Sequence, residues 1–285
     1  MEPRMRVAVL GTGRMGQAAA RRLAALGFEL VLWNRTLEKA EKLAEELGAR
    51  TARSPGEAVQ NVEAATLFLA DDDALYSVLA DIRRMDGLVV INMGTHTPRA
   101  SRYARNYVES NGGCYVESPI VAGPRPLSEG RAVLIVACRR HCYAPARPVL
   151  EALGGEAIIY LGEDAPQAQA LKLAFNSLLI TTVTSLAESL KLAEAYGVSR
   201  EVFKELLSHT VFRSVSEKYV DRMTRPPEEP ASFTARLAAK DLEYAENAGY
   251  DAGVPLPLVM AALLSYMKIP SEKRDADYTR IYHFL

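Results

Sequence analysis

The chain has 285 residues, 49% hydrophobic and 24% charged, which is room for one large or two ordinary domains with a substantial core. Its net charge of -1 gives no electrostatic basis for binding nucleic acid or an anionic membrane surface, so neither partner is expected. The three cysteines, Cys114, Cys138 and Cys142, are odd in number and only His141 stands near them in sequence, so free thiols and no metal site are expected.

The opening MEPRMRVAVLGTG runs straight into an apolar strand without a signal-peptide pattern, which predicts a cytoplasmic protein. Arg6 to Leu10 is followed at once by Gly11-Thr12-Gly13-Arg14-Met15-Gly16, then by helical spacing over Gln17 to Leu26 and a second strand at Glu29 to Trp33. A GxGxxG between a strand and a helix predicts dinucleotide binding. Its glycines permit a tight turn and close backbone approach to a pyrophosphate, and the helix N-terminus attracts the phosphate charge. Gly11, Thr12, Gly13, Arg14 and Met15 are therefore cofactor candidates.

The end of the second strand selects the cofactor. An NAD site would place Asp or Glu there for the ribose hydroxyls, whereas this chain has Asn34-Arg35-Thr36. Arg35 can neutralise a 2′-phosphate, and Asn34 and Thr36 can donate hydrogen bonds to it, so NADP is expected.

Further strands are predicted at Thr66 to Ala70, Leu88 to Asn92, Cys114 to Glu117, Ala132 to Ala137 and Ala157 to Leu161, with helices in several of the gaps. This is a doubly wound Rossmann domain over residues 1–162. Ligands in such sheets sit outside the carboxyl ends of the strands. That makes the loops Asp71 to Asp73, Met93 to Pro98 and Ser118 to Pro124 candidates, with Leu69 and Ala70 at a strand end beside the cofactor.

Ala165 to Gly197 contains no Pro after Pro166 and no Gly before Gly197, and reads as one long helix joining two domains. Between Leu173 and Ala187 it has no charge, and its apolar residues do not keep to one stripe, which predicts burial on every side within protein. The interruptions at Asn176, Ser177, Thr181, Thr182, Thr184 and Ser185 argue against a lipid-spanning role. Lys172 stands out in that setting. The chain has 25 Arg and 9 Lys, so Arg carries routine charge, and a desolvated Lys can take or give a proton where Arg cannot. Asn176 follows one turn later on the same face.

After this helix, helices are predicted at Arg200 to His209, Ser214 to Met223, Thr234 to Gly249 and Leu256 to Met267, with a loop over Arg225 to Pro230. Residues 163–285 thus form an all-α domain, expected to close the cofactor crevice and supply catalytic groups.

These features together resemble the β-hydroxyacid dehydrogenase family. The resemblance rests on VAVLGTGRMG, Gly94-Thr95-His96-Thr97-Pro98, Glu117-Ser118-Pro119-Ile120-Val121-Ala122-Gly123, Lys172-Leu173-Ala174-Phe175-Asn176, and Phe233 through Lys240-Asp241-Leu242. It implies that Lys172 is the general acid/base and that Asn176 positions it or the substrate. It further implies that Thr95 and Phe233 lie near the nicotinamide, that Val121, Ala122 and Gly123 line the carboxylate pocket, and that Lys240 and Asp241 close over the cofactor.

The family commonly has Asp-Ala-Pro-Val-Ser-Gly-Gly at residues 117–123, so Val121 and Ala122 replace a serine and a glycine. A serine that often precedes Thr95 is missing, and Pro166 and Ala168 stand where glycines are usual. The activity implied is NADP-dependent oxidation of a small 3-hydroxy acid, with L-serine or 3-hydroxyisobutyrate as first candidates, in a dimer or tetramer. Reduction of glyoxylate or succinic semialdehyde, reduction of an imine, and a non-catalytic NADP sensor are the alternatives.

Overall fold

The computed structural model describes residues 5–226 and 231–285. Of the loop expected over residues 225–230, residues 227–230 lie outside that range, as do residues 1–4 of the start. The chain forms two compact units, Met1–Lys172 and Leu173–Leu285.

In the first unit the strands are β1 (Arg6–Leu10), β2 (Glu29–Trp33), β3 (Arg50–Thr51), β4 (Ala64–Leu67), β5 (Val89–Asn92), β6 (Cys114–Glu117), β7 (Ile120–Val121), β8 (Val133–Cys138) and β9 (Ala157–Tyr160). The helices are α1 (Arg14–Ala25), α2 (Leu37–Leu47), α3 (Pro55–Ala58), α4 (Asp72–Asp81), α5 (Pro98–Ser110), α6 (Pro124–Ser128) and α7 (Arg140–Leu153). The sheet runs β3-β2-β1-β4-β5-β6-β8-β7, with β9 on β8. The first six strands are parallel in the order of a doubly wound dinucleotide-binding sheet, and β8 joins antiparallel to β6. One apolar layer, from Val9, Leu23 and Leu32 to Ile91 and Val136, covers one face; another, from Leu10, Leu67 and Leu79 to Tyr115, covers the other. Parallel strands buried on both faces explain their unbroken apolar runs.

The fourth strand is Ala64–Leu67, not Thr66 to Ala70, because the apolar run continues through Phe68 and Leu69 after the ladder has ended. Asp71 to Asp73 is not an open loop: Asp71 caps α4, its side chain accepting from Ala74 N at 2.8 Å. Likewise the expected loop over Ser118 to Pro124 contains β7 and the first residue of α6.

The long helix is α8 (Pro166–Ala195); its first residues, through Lys172, belong to the first unit. In the second unit it is followed by α9 (Arg200–Ser208), α10 (Arg213–Thr224), α11 (Ala235–Ala252) and α12 (Pro257–Met267), and no strand occurs among the described residues after β9. The core of this unit takes Leu173, Ile180, Val183, Ala187 and Leu190 from α8, with Leu242, Leu263, Tyr266 and Ile281. α8 is long and apolar enough to cross a membrane, but this stripe packs inside protein. Burial on every side does not hold, however: Leu178 and Leu192 are 68% and 63% exposed. The apolar residues of α8 outnumber what one stripe can bury.

Candidate active site

The first unit gathers most of the candidates at the carboxyl ends of its parallel strands. Leu10 pairs with Trp33 and with Leu67, and Leu67 pairs with Asn92, so the segments that follow these strands emerge side by side. They carry Gly11 to Met15, Asn34 to Thr36, Leu69 and Ala70, and Thr95.

The glycine turn divides its labour. Gly11 has φ +100°, and a Cβ there would lie 2.4 Å from the Phe68 carbonyl oxygen; a Cβ on Gly16 would lie 1.8 Å from the Gly11 carbonyl oxygen. Both glycines are needed for packing. A Cβ on Gly13, at the exposed mouth of α1, would meet nothing within 4 Å, which is the open backbone a pyrophosphate requires. Gly16→Ala should therefore cost about 1–3 kcal/mol of stability by overpacking. Gly13→Ala should leave stability within about 1 kcal/mol and instead weaken cofactor binding. Thermal melts and cofactor titrations of both variants check this, and matching profiles would refute the division.

Asn34 ties the two strand ends together: its Oδ1 accepts from Thr12 N at 3.0 Å and its Nδ2 donates to the Thr36 carbonyl at 3.0 Å. One amide hydrogen is thus spent on the protein, leaving the other for a ligand. Arg35 and Thr36 are exposed, and Arg35 forms no ion pair with any described residue. The open Gly13 backbone and the available guanidinium fit a phosphorylated dinucleotide.

Sequence reasoning missed a buried polar network behind the Thr95 loop. Glu117 is fully buried and accepts from Asn92 Nδ2 (2.9 Å), Gln169 Nε2 (2.8 Å), Tyr115 OH (2.7 Å) and the Ser101 hydroxyl. Gln169, in the first turn of α8, also donates to the Gly94 carbonyl at 2.9 Å and accepts from His96 N at 3.0 Å. Its amide therefore grips the loop on both sides of Thr95. Thr97 completes the clamp through Asp72, at 3.1 Å from its N–H and 2.6 Å from its hydroxyl. Lys172 lies three residues after Gln169 on the same helical face and is 8% exposed.

Burial pushes the Glu117 carboxyl up to about 7, against the donors Ser101, Tyr115, Gln169 and Asn92, which favour the ionised form. Because the folded carboxyl holds its proton more tightly than an unfolded one, its contribution to stability is full below about pH 4.5 and lost as pH rises through about 7. Glu117→Gln should flatten the pH dependence of unfolding free energy between pH 5 and 8 by roughly 2–3 kcal/mol. Urea melts across that range measure it; an unchanged slope would contradict the assignment.

Val121 ends β7 and Ala122 and Gly123 follow it, all three half-buried, and Val121 packs with Ile135 and Ala168. In the second unit Asn176 Nδ2 donates to Asp241 Oδ2 at 2.6 Å, while Asp241 Oδ1 lies 3.1 Å from Lys240 Nζ. A carboxylate only accepts, so Asp241 fixes which end of the Asn176 amide faces it and leaves the amide oxygen directed elsewhere. Asn176 and Asp241 are 4% and 2% exposed. This makes the Lys240–Asp241 pair part of a buried chain rather than a solvated surface pair. Phe233 packs edge-on against Tyr278, ring centres 5.2 Å apart.

Comparison with known proteins agrees with this geometry. A family model described as the NAD binding domain of 6-phosphogluconate dehydrogenase matches residues 6–162, and one described as NAD-binding of NADP-dependent 3-hydroxyisobutyrate dehydrogenase matches residues 166–285. The chain belongs to the β-hydroxyacid dehydrogenase family. It is 30% identical to an uncharacterized oxidoreductase of Bacillus subtilis, YfjR, over 90% of this chain and 91% of the relative. It is 27% identical to glyoxylate/succinic semialdehyde reductase 1 of Arabidopsis thaliana over 97% of both chains. The solved structure of the Mycobacterium tuberculosis 3-hydroxyisobutyrate dehydrogenase with L-serine covers 99% of both chains at a TM-score of 0.85 and 23% identity, a likeness of fold. Members of this β-hydroxyacid dehydrogenase family are NAD(P)-dependent oxidoreductases acting on CH–OH groups, and this chain is an oxidoreductase of that kind.

Proposed function

We propose that the protein is an NADP-dependent dehydrogenase of a small 3-hydroxy acid, with L-serine and 3-hydroxyisobutyrate the first substrates to try. The observation that carries this reading is the placement of Lys172, buried and one turn beyond the Gln169 amide that holds the Thr95 loop from both sides. NADP, when bound, supplies a nicotinamide carbon that accepts a hydride. Lys172 takes the hydroxyl proton of the substrate in oxidation and returns it in reduction. Asn176, its amide nitrogen fixed by Asp241, keeps its oxygen for a hydrogen-bond donor. Thr95, on its clamped loop, supports the nicotinamide. Arg35, with the remaining amide hydrogen of Asn34 and the Thr36 hydroxyl, binds the 2′-phosphate. The backbone around Val121 to Gly123 receives the substrate carboxylate. Exposed Leu178 and Leu192 on α8, with Leu258 (76%) and Leu264 (52%) on α12, support a homo-oligomer. We place the enzyme in the cytoplasm.

The test is the formation of reduced nicotinamide from NADP with a panel of 3-hydroxy acids. At least one should be oxidised, whereas NADP binding and stabilising the protein without turnover of any would favour a sensor. A second reading runs the same site as an aldehyde-acid reductase, favoured by the likeness to the Arabidopsis thaliana reductase along the full chain. Comparing kcat/KM for succinic semialdehyde or glyoxylate reduction with that for hydroxy-acid oxidation at one pH separates the two.

A further inference from the structure

All three cysteines of the chain converge on one place, Cys138 and Cys142 from one stretch of sequence and Cys114 from an earlier strand. Cys114 opens β6, Cys138 closes β8, and Cys142 lies in the first turn of α7 beside His141. β6 and β8 run antiparallel with Val116 opposite Cys138, which brings the start of one to the end of the other. The donor atoms of Cys114, His141 and Cys142 all lie within 4.8 Å of one another, and none of the thiols is in a disulfide. We propose that Cys114, His141 and Cys142 form a binding site for one thiophilic divalent cation, zinc, with Cys138 or water as the fourth ligand.

Two thiolates and an imidazole are a donor set suited to zinc. Around Zn2+, sulfur and nitrogen donors in a tetrahedron stand about 3.5–3.8 Å apart. Closure therefore needs movements of about an ångström, which side-chain rotation can supply. Cys142 is buried, Cys114 half-buried and His141 exposed, so the cation has a route from solvent and a dry side to bind against. Of the arginines at this corner, Arg139 is paired with Glu109 at 2.8 Å. On binding, the two thiols lose their protons to solvent and the two resulting charges neutralise the dication.

The place in the fold assigns the role. β6 is parallel to β5 with Val89 opposite Cys114, so the site stands at the amino ends of the parallel strands, across the sheet from the glycine turn. It is therefore structural. α7 gains from such an anchor: Pro145 and Pro148 lie inside it, each removing a backbone donor, and although the Glu163 carboxylate accepts from Arg140 N at 3.3 Å, the Arg139 side chain caps nothing at its start. A cation gripping residues 141 and 142 would fasten that weak first half to β6.

The test uses the full chain with its purification tag removed and its thiols reduced, stripped of metal, then loaded with Zn2+ and gel-filtered. We expect about one zinc retained per chain and, at a hundredfold excess over Kd, a Tm raised by roughly 5–10 °C. Co2+ in place of zinc should give thiolate-to-metal charge-transfer absorption. Cys142→Ser and His141→Ala should each lose the retained metal and the Tm increment. His141 is exposed, so its variant keeps the test valid if Cys142→Ser fails to fold. Absence of retained zinc in the reduced wild type, or equal retention by the His141→Ala and Cys114→Ser variants, overturns the proposal.

Discussion

Lys172→Ala should lower kcat by about 10²- to 10⁴-fold while leaving the Kd for NADP unchanged, the range expected when a positioned acid/base is removed. The residue is 8% exposed in the first residues of α8, one turn past an amide committed to the Thr95 loop. A lysine serving only as a solvated charge would be replaceable by arginine. Lys172→Arg separates the two roles, because guanidinium retains the charge but does not give up its proton at accessible pH. Both variants should therefore lose the chemical step by about that factor. Full turnover by Lys172→Ala, or rescue by Lys172→Arg to wild-type kcat, would remove Lys172 from the reaction.

Arg35→Ala should raise the Kd for NADP by about 10- to 150-fold and change that for NAD little. On the proposed reading the lost contact is a charge-assisted hydrogen bond worth roughly 1.5–3 kcal/mol, made with the 2′-phosphate alone. Arg35 suits this contact because it is exposed and unpaired by any described carboxylate. Asn34→Asp is a less simple probe than its sequence position suggests. Asn34 also holds Thr12 N and the Thr36 carbonyl, so an aspartate there would repel the phosphate and lose the second of these bonds. Fluorescence titrations with both cofactors measure the effect, and NADP binding should weaken more steeply with salt than NAD binding. Equal loss for both cofactors, or wild-type preference for NAD, would reassign the strand end.

What was legible in the sequence was what local pattern controls. Arg6–Leu10 and Glu29–Trp33 were placed to the residue because the glycine turn and Gly27 bracket short apolar runs. The thirty residues of α8 followed from an uninterrupted stretch without Pro or Gly. β3 and β7 were invisible, since two-residue strands are defined by the neighbour they pair with and not by their own composition. The site was legible as motifs and not as a network. Glu117 meets Gln169 across 52 residues, and no spacing rule connects them. The buried glutamate between apolar strand residues was the available signal, because such a carboxylate must find donors somewhere. Cys114 escaped for the same reason: only the antiparallel return of β8 brings it to His141 and Cys142.

The most direct test of the central claim follows the hydride itself. The enzyme would be incubated with NADP and a 3-hydroxy acid carrying deuterium on its carbinol carbon, and the reduced cofactor analysed by mass spectrometry. Transfer of one deuterium to the nicotinamide in the wild type, and its loss in Lys172→Ala with NADP still bound, is the predicted result. Bound NADP that gains no deuterium from any 3-hydroxy acid would contradict the assignment.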